Sequence, residues 1–457
     1  MASLTGALFN SARALGALNS TFDTIENNVT NANTPGYARQ DPSLQADPFD
    51  PLHGLAGGVS VGPLLNSRAE YLEQAVRNQQ TTLGGAQQRS SDLNQVEPLF
   101  SLTSTAGVAN ALSSFFNTFS QLSVNPNDQV NRQAVITQAG NLAQQINQSV
   151  AGIEQVSSNV TSQTTTVVTQ INQLAAQIAQ INQHYRSDAN AAQDESLDTQ
   201  LHSALQTLSG LAGVSAIKTS DGAVNVYLGG QVPLVLGDNA TPISSTSISS
   251  QTAILDASGN DVTAKITSGQ LGALIQEKNT TFPGYVANLN TLAQSLADSV
   301  NGALAQGVDQ SGNPPATNLF TYNAANPAAS LAVTNITPAQ IAAASAGAPG
   351  GNGNAIALTQ LASAPSINGF SFTQFYGNLA SQVGTDVASA QQDQSQAQDQ
   401  LTQAEAQRSQ VSGVDLNEEA TQLLQYQQAY SAVGKMVSVL DGLTSVVLNM
   451  IQPSATG

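Results

Sequence analysis

Leu15-Gly16-Ala17-Leu18-Asn19-Ser20-Thr21-Phe22-Asp23-Thr24-Ile25-Glu26-Asn27-Asn28-Val29 is a helix with one greasy side. Leu15, Leu18, Phe22, Ile25 and Val29 recur in alternating steps of three and four, with Leu4 and Leu8 ahead of them. That spacing lays an apolar stripe at coiled-coil pitch. The far end of the chain repeats it through Tyr426, Tyr430, Val433, Val437, Leu440, Thr444 and Val447. The two stripes predict a stem in which the first helix pairs with the last. Everything between is then a loop off that stem. The layout suits a rod-like, stacking subunit better than a pocketed enzyme.

The chain has 457 residues, of which only 9% are charged, where about 25% is usual. Gln, Asn, Ser and Thr supply the remaining polarity. Buried against neighbours as hydrogen-bonded amides, such faces cost less desolvation than charges do. Thirty acids against 12 bases leave a net charge of −18. Phosphate backbones and anionic membranes need a basic face, so neither is an expected partner. No cysteine is present, which excludes disulfides and thiolate metal sites. Met1 to Gly16 lacks the basic start and unbroken apolar core of a secretory signal. The run Met436 to Ile451 contains Asp441 and reads as too short for a bilayer.

Outward from the first stripe, the helix is expected over Leu4 to Asn31. It ends at Asn31-Ala32-Asn33-Thr34-Pro35-Gly36-Tyr37, with Pro35 and Gly36 central in a type II turn. Asn31 or Asn33 is expected to cap the helix in a left-handed conformation. Asp41 to Pro63 reads as loop because of its Asp-Pro pairs. Helical patterns follow over Ser67 to Leu83, Leu93 to Phe100 with a break at Pro98, and Val108 to Leu122. After an Asn125-Pro126-Asn127-Asp128 cap, Val130 to Tyr185 reads as one very long helix or two. The period then changes. Val214 to Thr219 and Val224 to Leu228 flank Asp221-Gly222, a hairpin signal. Val232 to Leu236, Ala253 to Leu255 and Val262 to Ile266 add strands. Leu271 to Leu304 is helical with a break at Pro283-Gly284. Phe320 to Phe370 reads as irregular, with one strand at Leu331 to Asn335. Phe372 to Val411 is a long helix, and Asp415 with Glu418 forms a capping box for the last one. The expected class is mainly α: a terminal coiled coil (1–40 with 412–457), a long-helix bundle (41–210 with 269–411) and a small β excursion (211–268).

No catalytic, cofactor or metal constellation emerges. Gly58-Val59-Ser60-Val61-Gly62 matches the nucleophile-elbow pattern, yet no buried strand precedes it and Pro63 follows. It reads as an edge strand. His53, His184 and His202 lie in no supporting motif. Asp309, Ser311 and Asn313 alternate like calcium ligands without a closing Glu, and read as a solvated turn. Gly434-Lys435 sits inside a helix rather than in a phosphate loop. Asp415, Glu418 and Glu419 are first-turn charges opposing a helix dipole.

Asn27-Asn28-Val29-Thr30-Asn31-Ala32-Asn33-Thr34-Pro35-Gly36-Tyr37-Ala38-Arg39-Gln40 resembles the N-terminal signature of the bacterial flagellar axial family of rod, hook and hook-associated proteins. Its Thr-Pro-Gly-Tyr-x-Arg-Gln form is most similar to members at the hook–filament junction. Phe115-Phe116, Leu122-Ser123-Val124-Asn125-Pro126, Arg132, Leu142 and Ile146 are similar to that group's helical domain. So are Gly269-Gln270-Leu271-Gly272-Ala273-Leu274, and Val300-Asn301 with Gly307. Ser412-Gly413-Val414-Asp415-Leu416-Asn417-Glu418-Glu419-Ala420 and Gln427-Gln428-Ala429-Tyr430 resemble its C-terminal signature.

The resemblance implies a non-enzymatic subunit without cofactors, exported unfolded through the flagellar type III apparatus. It implies a ring of copies in the flagellum, touching hook protein and the next hook-associated protein. It also implies a cytoplasmic chaperone on the last helix. Many relatives carry a large β domain after the position of Phe320, where this chain is short and Ala/Gly-rich, so no bulky outer domain is expected. The rival readings are a hook or distal rod protein, and a secreted coiled-coil adhesin.

Overall fold

The computed structural model describes residues 2–50, 55–103, 107–188, 191 and 194–451. His53 and Pro51 lie outside the described residues. Helix α1 spans Ala2–Asn31, uninterrupted by Gly6 and Gly16. Neither Asn31 nor Asn33 adopts the left-handed cap expected of them. Asn31 turns its side-chain amide back to the Asn27 carbonyl at 3.0 Å and accepts the Thr34 hydroxyl at 3.1 Å. The side chain thus closes the helix end that the backbone was expected to close.

Asp41 to Pro63 is a β arm rather than a loop. Strands β1 (Gln40–Asp41), β2 (Leu44–Asp50), β3 (Leu55–Val61) and β4 (Leu65–Asn66) pair antiparallel as β1–β4 and β2–β3. Pro48 sits inside β2. In a two-stranded ribbon every strand is an edge, so a missing donor facing outward breaks no ladder.

Helices α2 (Glu70–Val96), α3 (Val108–Val124), α4 (Gln129–Ser187) and α5 (Glu195–Leu211) follow. α2 passes straight through Gly84-Gly85. A Cβ on Gly84 would stand 2.1 Å from the Gly210 carbonyl oxygen, so glycine here permits a close helix crossing. Beyond it, Pro98 lies in a short 3₁₀ turn, Glu97–Phe100. α4 is a single helix of 59 residues, capped by Asp128, which accepts the Val130 N–H at 2.8 Å. Its buried residues recur from Val135 to Tyr185, so one face stays in the core throughout.

Strands β5 (Val214–Lys218), β6 (Val224–Leu228), β7 (Val232–Leu236) and β8 (Asn239–Ala240) form an antiparallel meander in that order. Gly222 turns the first hairpin at φ +87°. Strands β9 (Ser244–Ile248) and β10 (Gln251–Leu255) form a separate hairpin. Val262 to Ile266 is not a strand. Asp261 accepts both the N–H and the hydroxyl of Thr263 and winds this segment into a 3₁₀ turn.

Helices α6 (Gly269–Gln276) and α7 (Phe282–Ala305) are joined by a π turn, Glu277–Thr281. The break expected at Pro283 is therefore absent. Proline donates no N–H and crowds the carbonyl four residues back. The widened turn ahead of it absorbs that conflict. After β11 (Gly307–Val308), the stretch read as irregular holds β12 (Phe320–Thr321), α8 (Pro327–Ser330), β13 (Ala332–Val333) inside the expected strand, β14 (Ala344–Ser345) and α9 (Gly353–Gln360). Phe320, Leu331, Ile341 and Leu358 are buried in it, so it belongs to the core. Helices α10 (Phe372–Ser412) and α11 (Leu416–Ile451) complete the chain.

The architecture is mainly α, as expected. One large apolar core gathers α3, α4, α5, α6, α7, the β meander and the first half of α10. Phe115 meets Phe119 and Phe320 edge-on within it. The second half of α10 leaves this core and runs along α2. There a small second apolar cluster forms from Val76, Leu83, Ala397, Leu401 and Ala404. α2 and α10 thus form a stalk leading to the chain ends.

The excess of amides has a structural use. Asn182 donates to the carbonyls of Val224 (2.8 Å) and Gly237 (2.6 Å) and accepts the Val224 N–H (2.8 Å). Asn172 clasps both backbone groups of Ile243, and Asn279 both of Thr252. Asn301 does the same for Phe320. Each amide presents a donor and an acceptor side by side, as a neighbouring strand would. Helices hold strands here without charged groups.

Candidate assembly site at the paired chain ends

α1 packs along α11. Leu18 and Ile25 are 8% and 3% exposed, and Phe22 meets Tyr430 with ring centroids 5.9 Å apart. Leu15, Phe22, Tyr426, Val433, Val437, Leu440 and Val447 are half-buried, whereas Val29 and Tyr430 are exposed. The seam is thinner than full burial of both stripes would make it. Among the described residues of α11, Glu419 alone is buried.

α11 carries a second stripe. Ala429, Ala432, Met436, Val439, Leu443, Val446 and Met450 also alternate three- and four-residue steps. None is buried, and Val439 is 63% exposed. Ser431, Ser438 and Ser445 repeat every seven residues beside it. The helix is therefore two-faced, with one seam against α1 and one open. Periodicity alone was enough to find the second seam. It went unread because the first seam accounted for the helix. The stretch Phe372–Met450 also contains an 18-residue window of mean hydropathy 1.4, none of it buried, long and apolar enough to cross a membrane. Reading the terminal run as too short for a bilayer thus fails on length and composition.

A polar joint ties these helices to the stalk. Thr34 to Tyr37 make the turn: the Tyr37 N–H donates to the Thr34 carbonyl at 3.1 Å, and Gly36 stands at φ +82°. A Cβ on Gly36 would meet the Thr199 carbonyl oxygen at 3.1 Å. Pro35 and Asn33 face solvent. Asn28, 2% exposed, uses its whole amide. It accepts from the Tyr37 hydroxyl (2.8 Å) and the Gln40 N–H (3.0 Å), and donates to the Gln40 carbonyl (2.9 Å) and Glu419 (3.2 Å). Arg39 pairs with Glu418 at 2.7 Å, and its N–H reaches the Ser412 carbonyl at 2.8 Å. The Glu418 side chain serves this bridge, and half of the expected capping box is present: Asp415 accepts the N–H groups of Asn417 (2.8 Å) and Glu418 (3.4 Å).

Beneath the turn, Arg68 holds Asp198 (2.6 Å), Glu73 (2.9 Å) and Glu195 (3.4 Å), and donates to the Gly36 carbonyl. Glu73 also takes Arg408 of α10 at 3.3 Å. Burial works against the Arg68 charge, yet the three carboxylates raise its proton affinity. Burial and Asp198 raise Glu195, which opens α5 where a helix dipole favours an anion. Burial likewise raises Glu419, against the pull of Asn28. Breaking one member of such a buried set leaves its partners uncompensated.

The remaining sequence candidates lie apart. Ser60 is in β3 and donates to Asp47 across the hairpin at 3.0 Å, not on a strand-to-helix turn. His202 is buried and held neutral, pushed down to about 2 by burial and by Arg68. His184 is exposed on α4. Asp309 accepts the N–H groups of Ser311 and Asn313 in an exposed turn. Among the described residues no group of three His, Cys, Asp or Glu could hold a metal ion.

Residues 93–320 match the flagellar hook-associated protein FlgK helical domain, and residues 405–450 match the flagellar basal body rod FlgEFG protein C-terminal region. Flagellar hook-associated protein 1 of Bacillus subtilis is 27% identical over 98% of this chain and 99% of its own length. The chain belongs to the flagellar hook-associated protein 1 family. The Salmonella typhimurium protein of the same name is 26% identical over 67% of this chain, a stretch that spans 58% of that longer relative. The solved flagellar hook junction protein FlgK from Burkholderia pseudomallei has the same fold, with a TM-score of 0.67 over 74% of this chain and 18% identity.

Proposed function

We infer that this chain is a structural subunit of the bacterial flagellum, stacked as a ring between hook and filament. The open second seam of α11 carries the reading. A heptad stripe left uncovered over five turns calls for another helix, and adjacent copies of the chain supply one. α1 and α11 would then form the inner tube, with Leu15, Leu18, Phe22, Ile25 and Val29 facing Tyr426, Tyr430, Val433, Val437, Leu440 and Val447. Asn31, Asn33, Thr34, Pro35, Gly36 and Tyr37 would set the angle between tube and body. The β arm packs on α1, which supports grouping it with the terminal pair rather than with the bundle.

Hook protein and the next hook-associated protein are the proposed axial neighbours. Before assembly the open seam needs cover, which supports a cytoplasmic chaperone on α11. A membrane span is the second reading of the same apolar helix. The two-seam pattern favours protein partners, because a lipid-facing helix needs no heptad register.

Electron micrographs of cells lacking the chain test the reading. Hooks without filaments are expected. Filaments of ordinary length on such cells would overturn it.

A further inference from the structure

Deep in the bundle, far in sequence from either chain end, lies a weakly compensated carboxylate. Glu277 opens the π turn and is fully buried. Neither of its oxygens has a hydrogen-bond partner. On α2 it is faced by Asp92, also fully buried, and by Arg89, whose Nε stands 3.9 Å away, beyond hydrogen-bond reach. Arg89 is itself drawn outward to Asp393 at 3.4 Å. From α10 comes Asp386, already bound by the Tyr285 hydroxyl of α7 at 2.6 Å. α4 and β10 pack on the same turn and bring uncharged groups, Ser157 to Lys278 and Thr252 to Asn279. Glu277 thus lies near two other carboxylates, Asp92 held by Gln88 and Asp386 held by Tyr285, and its cationic neighbour is an arginine that Asp393 also holds. A buried anion so poorly compensated is expensive, and the group prefers to keep its proton.

We propose that Glu277 is a proton-operated weak point of the middle domain. With its proton the π turn is closed. Without it the α6–α7 joint loosens, at the one place where these helices depart from α geometry. Burial and the Asp92 carboxylate raise Glu277 to about 7, against smaller pulls from Thr281 and Arg89. Burial raises Asp92 to about 6, opposed by Gln88. An acid raised in the folded state binds its proton more tightly there than in the unfolded chain. Its contribution to stability is complete below the unfolded value of 4.5. It drains away as pH climbs, and is gone once pH passes the folded value near 7.

Urea unfolding of the full chain between pH 4.5 and 8.5 tests this, with the bundle helices as the readout. Glu277→Gln is expected to match the wild type near pH 4.5. Its folded-to-unfolded ratio should then exceed the wild type's by about tenfold more per pH unit up to about 7, and level off above. Amides of the π turn in the wild type should exchange faster at pH 8 than at pH 6, beyond the intrinsic change. A folded Glu277→Gln with the wild-type pH slope overturns the proposal. Asp92→Asn guards against misfolding of the first variant. It removes the facing carboxylate and should flatten the slope in part, and an unaltered slope there counts equally against the idea.

Discussion

Beside the ion pairs of the polar joint, single residues hold this chain together by amide and guanidinium groups bound to backbone. Arg132 is the extreme case. It is fully buried and donates to the carbonyls of Pro126 (2.6 Å), Pro338 (3.0 Å) and Ile341 (2.8 Å). Burial lowers its proton affinity, against the pull of the Asp309 carboxylate. Arg132→Met would strand three carbonyls, and urea denaturation should show a loss of about 3 kcal/mol. Asn182→Ala would release β6 from α4 at a cost of about 2 kcal/mol by the same measurement. Asn28 differs, because its four hydrogen bonds tie the ends to the body. Asn28→Asp sets a carboxylate against Glu419, so the joint should open while the thermal transition of the bundle stays unchanged. None of these roles was legible beforehand. An asparagine that clasps a strand looks, in one dimension, like any other polar residue on a helix. Its partner lies 42 residues away for Asn182 and 391 for the Asn28–Glu419 pair.

At the scale of elements, periodicity read well and turn chemistry read poorly. The long helices, the Asp221-Gly222 hairpin and the terminal stripes follow from local spacing, which the fold does not override. The β arm was missed because Asp-Pro pairs signal a loop unless the strand is an edge on both sides. The π turn was missed because proline predicts a break, and a wider turn meets the same steric need. Two substitutions separate the seams of the terminal pair. Ile25→Asp, in the inner seam, should leave the circular dichroism of the bundle intact and block incorporation into the flagellum. Val439→Asp, in the open seam, should leave the isolated chain within about 0.5 kcal/mol of the parent and still block incorporation. Normal incorporation of Val439→Asp, scored by immunogold labelling, would remove the open seam from the assembly account.

For the molecule as a whole, stability is unevenly placed. The bundle owns nearly all of the buried apolar residues, the stalk owns a small second cluster, and the terminal pair owns very little. A helix of 36 residues in which, among the described residues, a glutamate alone is buried does not offset the entropy of ordering it, about 1.5 kcal/mol per residue. We propose that neighbouring copies supply the difference and that the ends fold as they assemble. Low charge is consistent with this, since faces made of amides and small apolar groups lose little on being covered. Hydrogen–deuterium exchange of the isolated full chain in dilute buffer tests the claim most directly. Amides of α1 and α11 should exchange at nearly unstructured rates while those of α3, α4 and α7 stay protected. Protection of α1 and α11 equal to that of α4 would contradict it.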